Sequence, residues 1–284
     1  MNVLNETDLA FWEENGYVIV PNAVPQENLD AVVDLIHAFQ GTSPDDVEGW
    51  YNVPVGYGGD AIRSKAGMVE VYQHQALWDN RQYPRVHGAF ADILGTDKLW
   101  VSIDRANFNV PERPGWDYKG FIHWDWDSTE RPIPLRVQGV LSLTDTSADQ
   151  GGFQCVPGMH RKLDEWAATQ PADRDPRHPD LTGLNVKQLE TKAGDLVIWH
   201  VALAHGNGQN RSDRPRLAQY ITMYPAREDD EEARQQRIHM WRKRLHPQNS
   251  SPFPGDPRRW EAQFPPAELT ALGQKLLGLK SWED

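Results

Sequence analysis

The residues of this chain best suited to chemistry are His123 and Asp125, which flank a tryptophan. Side chains two positions apart on a β-strand point to the same face, so this imidazole and carboxylate would lie side by side. Nitrogen and oxygen donors at that separation can occupy two neighbouring corners of a metal's coordination sphere. A second histidine from a distant strand would complete a two-histidine, one-carboxylate facial triad, which leaves three positions open for reactants.

Two later histidines are candidates for the third ligand. The predicted strand 195–199 precedes both, with His200 directly after it and His205 inside a turn of small residues, Ala204 to Gly208. Small residues let the backbone turn tightly beside a bound ion. This setting favours His205, and we interpret His200 as a core histidine or one that supports the site from behind.

A basic residue and a polar strand suggest what else the site binds. Arg216 opens an apolar strand, where packing could hold its guanidinium inside the fold. A buried arginine requires a carboxylate, which its planar fork matches bidentately, and a dicarboxylate co-substrate would serve. Arg105, Asn107 and Asn109 alternate along another predicted strand and share one face. Three polar groups on one face predict a hydrated pocket, because a dry core would leave them without partners.

Strands separated by turn residues fill the stretch from residue 99 to residue 225 and must position these side chains. Pro-Gly, Gly-Gly and Ala-Gly pairs mark the turns. Short strands at this spacing predict a mainly β fold with flanking helices and a double-stranded β-helix core of the jelly-roll, cupin-like kind. The predicted strands cover residues 99–110, 120–124, 136–143, 153–156, 185–189, 195–199 and 216–224.

Helices are predicted on both sides of this core. Thr7 is the predicted N-cap of a first helix, and apolar residues at helical spacing from Leu29 to Phe39 predict a second. Further helices are predicted at residues 85–94, in the charged run 228–244, which we expect to be solvated, and at 268–277. We expect one domain over residues 1–284, with a helical N-terminal region at 1–98, a β core at about 99–225 and a helical tail at 226–284.

Composition limits the partners of this chain. It has 41 acidic and 29 basic residues and a net charge of -12, which disfavours nucleic acid and anionic membranes. The only cysteine, Cys155, allows no intrachain disulfide and fits a reducing cytoplasm. The first residues lack the pattern of a signal peptide, and no apolar run reaches the roughly 20 residues of a membrane helix. We therefore expect a cytoplasmic protein that acts on a small molecule.

Taken together, the motifs resemble the phytanoyl-CoA dioxygenase family of Fe(II)/2-oxoglutarate-dependent oxygenases. The resemblance rests on His123-Trp124-Asp125, on residues 151–161, and on residues 194–216, which contain His205 and Arg216. Residues 12–20 also look like the opening of that family, so that the similarity extends over residues 7–225.

The resemblance implies a reaction and its metal ligands. His123, Asp125 and His205 would bind Fe(II), and the enzyme would use 2-oxoglutarate and O2, release succinate and CO2, and respond to ascorbate as a stimulant. Related radical halogenases replace the carboxylate with a small residue to admit chloride. The presence of Asp125 therefore favours hydroxylation of a small molecule, while desaturation, epoxidation and ring formation use the same ligands and stay open.

The remaining site residues are also carried by the resemblance and by strand parity. Arg216 falls where the family's 2-oxoglutarate-binding arginine lies, and Asn107 and Asn207 are expected to contact the same co-substrate. The residues expected to contact the substrate are Trp126, Arg105, Gln138, Tyr57 and Arg63. Two other functions stay open: a cupin-like metalloenzyme that does not use 2-oxoglutarate, and a non-catalytic binding barrel.

Overall fold

The strands form three antiparallel sheets in the computed structural model, which describes residues 3–52, 66–247 and 253–283. All of them are short. Their bounds are β1 Tyr17–Val20, β2 Met68–Val69, β3 Leu99–Val101, β4 Ala106–Asn109, β5 Val137–Ser142, β6 Phe153–Cys155, β7 Lys187–Gln188, β8 Leu196–His200, β9 His205–Asn207, β10 Arg216–Tyr220 and β11 Met223–Pro225.

The order of the strands mixes distant segments of the chain. The large sheet has six strands in the order β1-β8-β5-β10-β4-β2, a second sheet has the order β7-β6-β9, and β11 pairs with β3 in a third. Each pair is antiparallel, which confirms a mainly β fold of antiparallel sheets with flanking helices.

Helices flank the sheets before and after the strands. Their bounds are α1 Glu6–Asn15, α2 Gln26–Gln40, α3 Gln75–Arg81, α4 Pro84–Leu94, α5 Met159–Ala168, α6 Glu231–Lys243 and α7 Ala271–Leu277. The cap of α1 differs from the prediction, because Asn5 and not Thr7 receives the first backbone N–H groups and forms a capping box with Asp8. Within the described ranges, none of the helices has the length and apolar character needed to cross a membrane.

The large sheet separates two apolar clusters, because successive side chains of its strands point to opposite faces. Leu141, Ile198 and Leu217 belong to the cluster that includes the apolar residues of α2, α3 and α4. Val140 and Trp199 lie on the other face, in the cluster that contains residues of β6. Helices α2, α3 and α4 therefore cover one face of the large sheet and leave the opposite face to build a site.

Two predicted strands are interrupted. The sequence predicts one strand over residues 99–110, but β3 and β4 belong to different sheets. The backbone between them bonds elsewhere, since Ser102 N–H donates to Thr222 O and Asp104 O accepts from the buried Arg81 guanidinium. The predicted strand over residues 216–224 is divided in the same way, because β10 pairs with β4 and β11 pairs with β3. Residues 120–124 form no strand and contribute only a single bridge, between His123 and His205.

The charged run that we expected to be solvated is partly buried. Arg237 on α6 is 6% exposed, and its guanidinium donates to Val101 O, Leu276 O and Leu277 O at 2.6–3.0 Å. The last two carbonyls belong to the final turn of α7, whose carbonyls have no partner inside the helix. A cation at that end is also favoured by the helix dipole. Arg237 thus joins the tail to β3.

We expect Arg237→Leu to lower the free energy of unfolding by about 3 kcal/mol, because three carbonyls that it serves would lose a charged donor. Denaturant unfolding followed by circular dichroism measures this change. Arg242→Leu on the exposed side of the same helix is the matched control and should stay within about 0.5 kcal/mol of the parent protein. Equal stability of the two variants would contradict the structural role of Arg237.

Candidate metal centre and its cavity

Three side chains from two distant segments of the chain meet beside the sheet of β7, β6 and β9. His123 and His205 exchange backbone hydrogen bonds of 2.8 and 3.0 Å, which bring the segment 121–125 alongside β9. Asp125 Oδ1 lies 3.3 Å from His123 Nε2, and Asp125 Oδ2 lies 3.4 Å from His205 Nε2. In the described ranges, this is the only group of three or more metal-ligating side chains with donor atoms close enough, within 4.8 Å, to share one ion.

Protonation favours metal binding at these atoms. His205 Nδ1 lies 2.9 Å from Leu203 O. A carbonyl can only accept, so Nδ1 carries the proton and Nε2 is the nitrogen available to a metal. Burial acts to raise the pKa of Asp125, but the contacts with His123 and His205 outweigh it and hold that pKa well below its usual range. One anionic carboxylate and two imidazole nitrogens fit a divalent transition metal.

The other candidate histidine, His200, lies outside this group. Its ring packs near Trp12 and His160, and its Nδ1 accepts from Ala202 N–H. Burial, with a smaller contribution from His160, lowers the pKa of His200 to about 4. A neutral imidazole packed among aromatic rings is a core residue, as the sequence suggested.

A cavity of about 660 Å³ opens directly beside the three side chains. Aromatic residues form much of its wall, namely Tyr118, Phe121, Phe153, Trp199, Tyr220 and Phe253. Its polar groups are fewer, and they include Asp104, Arg105, Gln138, Asn207 and Thr222. An apolar cleft with a few polar groups is the usual form of a small-molecule site.

Gln138 on β5 supports the carboxylate. Its Nε2 donates to Asp125 Oδ2 at 2.7 Å, while its Oε1 is buried and has no partner among the described residues. The side chain is held on a central strand of the large sheet, so it can orient Asp125 from a rigid position. Of the substrate residues expected from the sequence, Gln138 and Arg105 do line the cavity.

Arg216 lies behind the cavity wall, at the start of β10. It is 2% exposed, and its Nη1 donates to Asn107 Oδ1 at 2.9 Å and to Asn207 Oδ1 at 3.2 Å. Each asparagine is oriented by a bond from its own amide nitrogen, to Ala66 O and to the Tyr220 hydroxyl respectively. No carboxylate of the described residues forms an ion pair with Arg216. Arg216 therefore contacts both asparagines that are expected to bind the co-substrate with it.

The structure does not bring Trp126 to the wall of this cavity. The chain bends at Asp125 and Trp126, so the strand alternation that would aim both side chains at one face ends there. Trp126 is 4% exposed, its indole N–H donates to Glu130, and it lines a neighbouring groove that shares Asp125 and Gln138 with the cavity. Tyr57 and Arg63, also expected to contact substrate, lie outside the described residues.

Sequence reasoning missed several residues of the cavity wall. Tyr220 could have been found, because it lies four positions after Arg216 on β10 and shares its face. Asp104 lies between β3 and β4, and Tyr118, Phe121 and Phe253 lie in irregular segments, where no periodicity indicates the direction of a side chain.

Comparison with known proteins agrees with this geometry. A family model described as phytanoyl-CoA dioxygenase matches residues 12–218. A Dictyostelium discoideum protein named as a phytanoyl-CoA dioxygenase is 23% identical over 259 residues, covering 76% of this chain and 74% of that protein. Ava biosynthesis cluster protein O of Aspergillus versicolor is 26% identical over 247 residues, covering 78% of each. The epimerase SnoN, crystallised with Fe3+, α-ketoglutarate and nogalamycin RO, has a similar fold, with a TM-score of 0.57 and 17% identity over 78% of this chain and 83% of SnoN.

The chain belongs to the phytanoyl-CoA dioxygenase family. It is a non-heme iron dioxygenase that depends on 2-oxoglutarate, as the sequence predicted. The comparisons give no support to a metalloenzyme without 2-oxoglutarate or to a non-catalytic barrel.

Gln138→Leu should weaken Fe(II) binding about tenfold, because Asp125 would lose the hydrogen bond that orients it. Anaerobic titration with Fe(II) measures the affinity. Gln236→Leu makes the same chemical change on the exposed side of α6 and serves as the control. If both variants bind Fe(II) as the parent protein does, Gln138 does not orient the carboxylate.

Proposed function

We propose that this chain hydroxylates a small molecule at an Fe(II) ion held by His123, Asp125 and His205. The observation that carries the proposal is the convergence of these three side chains, with their donor atoms within 4.8 Å, on the wall of a largely aromatic cavity. The proposal includes a single oxygenase domain over residues 1–284, whose core at about 99–225 is a double-stranded β-helix. The pairing of distant strands in antiparallel sheets supports that core.

Bound iron would supply the activation of O2, coupled to oxidation of 2-oxoglutarate to succinate and CO2. The protein's own contribution is to hold the ligands in place. His205 is oriented through Nδ1 by Leu203 O, and Asp125 is oriented by Gln138. Asp125 also supports hydroxylation over halogenation, because its carboxylate fills the ligand position that a halide would need.

Arg216 is proposed to bind the distal carboxylate of 2-oxoglutarate. The described partners of this buried guanidinium are two neutral amide oxygens. They do not balance its positive charge, so the guanidinium can attract the carboxylate of a ligand. Asn207 lines the cavity and Arg216 lies behind it, so a carboxylate that reached Arg216 would also contact the Asn207 side chain. Asn107 completes the group by fixing the guanidinium from the neighbouring strand, since β4 pairs with β10.

The aromatic wall is proposed to bind the substrate and to exclude water from the reaction. Phe121, Phe153 and Trp199 lie close to the imidazoles of His123 and His205. The ring centroids of Phe121 and His123 are 4.7 Å apart, and those of Trp199 and His205 are 5.0 Å apart. Excluding water strengthens the electrostatic contacts of the site and limits side reactions. SnoN binds a nogalamycin compound, and for this chain we propose only a ligand of the same broad class, a small organic molecule.

The test of the metal assignment is Fe(II) binding and release of succinate from 2-oxoglutarate in the presence of ascorbate. Asp125→Ala should lower Fe(II) affinity at least tenfold and abolish succinate release, because two neutral imidazoles alone hold the ion weakly. Asp127→Ala, two residues further along, is the control. Parent-like iron affinity and turnover in Asp125→Ala would refute the assignment of this ligand.

A separate test concerns the co-substrate. Arg216→Lys should raise the KM for 2-oxoglutarate about tenfold and Arg216→Met about thirtyfold or more, because lysine keeps the charge but loses the planar fork. Steady-state succinate assays give the KM, and circular dichroism verifies folding. Arg214→Met, at a side chain that is 64% exposed, should leave the KM unchanged. A KM in Arg216→Met equal to that of the parent would exclude Arg216 as the carboxylate anchor.

A further inference from the structure

The cavity contains two charged groups that iron and 2-oxoglutarate would not use, Asp104 and Arg105. Arg105 is already bonded to residues of the protein. Its Nη1 donates to Glu70 Oε1 at 2.7 Å and to the Tyr72 hydroxyl at 3.4 Å, and its guanidinium stacks over the Phe253 ring at 4.5 Å. Glu70 is 1% exposed, so this pair is a buried one. An anionic ligand would have to draw Arg105 away from a buried carboxylate, which is costly.

Asp104 has no comparable partner among the described residues. Its Oδ1 accepts from Arg105 N–H at 2.8 Å, and the same oxygen lies 4.0 Å from Arg105 Nε. No described residue donates a hydrogen bond to its Oδ2. The side chain is 23% exposed and belongs to the cavity wall. When a ligand fills the cavity and displaces its water, this carboxylate oxygen loses hydration unless the ligand supplies a donor.

The surroundings of Asp104 favour a cation as that donor. Burial raises the pKa of Asp104, whereas Arg105 and Arg81 act in the opposite direction. A positive ligand would relieve the cost of burying the carboxylate, whereas a negative one would add to it. The rings of Tyr118, Phe121 and Phe253 line the same cavity, and aromatic faces attract cations as well as apolar groups.

We propose that the substrate carries a protonated amine which binds Asp104 Oδ2, and an apolar or aromatic body which packs on the aromatic wall. This inference rests on the proposed function, because it takes the same cavity as the place where a C–H bond faces His123, Asp125 and His205. Asp104 is then the residue that selects the charge of the substrate. The amine is an anchoring group and does not enter the oxidation.

Three phenyl probes of similar size and different charge test the proposal: benzylammonium, benzyl alcohol and benzoate. Their binding to the anaerobic protein with Fe(II) and 2-oxoglutarate is followed by tryptophan fluorescence, since Trp199 lines the cavity. We expect benzylammonium to bind about tenfold more tightly than benzyl alcohol, as a charge-assisted hydrogen bond requires, and benzoate to bind most weakly. Benzyl alcohol or benzoate binding as tightly as benzylammonium would overturn the proposal.

Variants assign the preference to one residue. Asp104→Asn should reduce the ratio of the benzylammonium and benzyl alcohol affinities to about one, and Asp104→Glu should restore some of it. Asp213→Asn, whose side chain is 95% exposed, should keep the parent ratio. A parent ratio in folded Asp104→Asn would also overturn the proposal.

The same samples distinguish this inference from the proposed function. A titration of the parent protein with 2-oxoglutarate and Fe(II), without any probe, reports the metal and co-substrate sites alone. Absence of that binding would refute the proposed function, whereas intact binding together with no preference for the cation would refute only the role of Asp104.

Discussion

The site depends on one pair of backbone hydrogen bonds, those that His123 and His205 exchange. They bring a segment with no ladder of its own alongside β9, and they set the imidazoles with ring centroids 4.9 Å apart. Strand β9 is in turn held by β6, with Cys155 opposite His205. Gly206 keeps the approach possible, because a Cβ at that position would lie 1.9 Å from Phe121 O. The two histidines proposed to bind the metal are thus placed by backbone pairing, and side-chain contacts only adjust them.

The two faces of the large sheet have different roles: one packs against helices and the other faces the site. On β10, Leu217 belongs to the cluster that packs with the helices, while Arg216 and Tyr220 point to the inner face. The buried polar groups around Arg216 are acceptable because they bond one another: Arg216 bonds Asn107 and Asn207, and Asn207 bonds Tyr220. This network holds the guanidinium in one place behind the cavity wall, and a fixed position is what a site for an anionic co-substrate needs.

The C-terminal tail also contributes to the cavity wall, although it follows residue 218, where the match to the family model ends. Phe253 lines the cavity and packs under Arg105, and Gly255 N–H donates to Glu70 at 3.1 Å. Glu261 is buried and accepts from the N–H groups of Tyr72 and Gln73. Residues of the tail thus meet residues of the family-matched segment at Arg105.

The sequence by itself determined the donor set, the strand-rich core and the preference for His205 over His200, because these depend on residue type, spacing and turn composition, all of which are local. It also placed Arg216 and Asn107 on strands that could face one pocket, and the family resemblance added Asn207. Only the tertiary structure decided that the segment 99–110 breaks, so that Asp104 faces the cavity, and that the bend at Asp125 turns Trp126 away. Strand parity predicts direction only while the chain stays extended. Where it bends, contacts outside the strand ladder, such as the one from Arg81 to the Asp104 carbonyl and the one from Trp126 to Glu130, set the local course of the chain and the direction of its side chains.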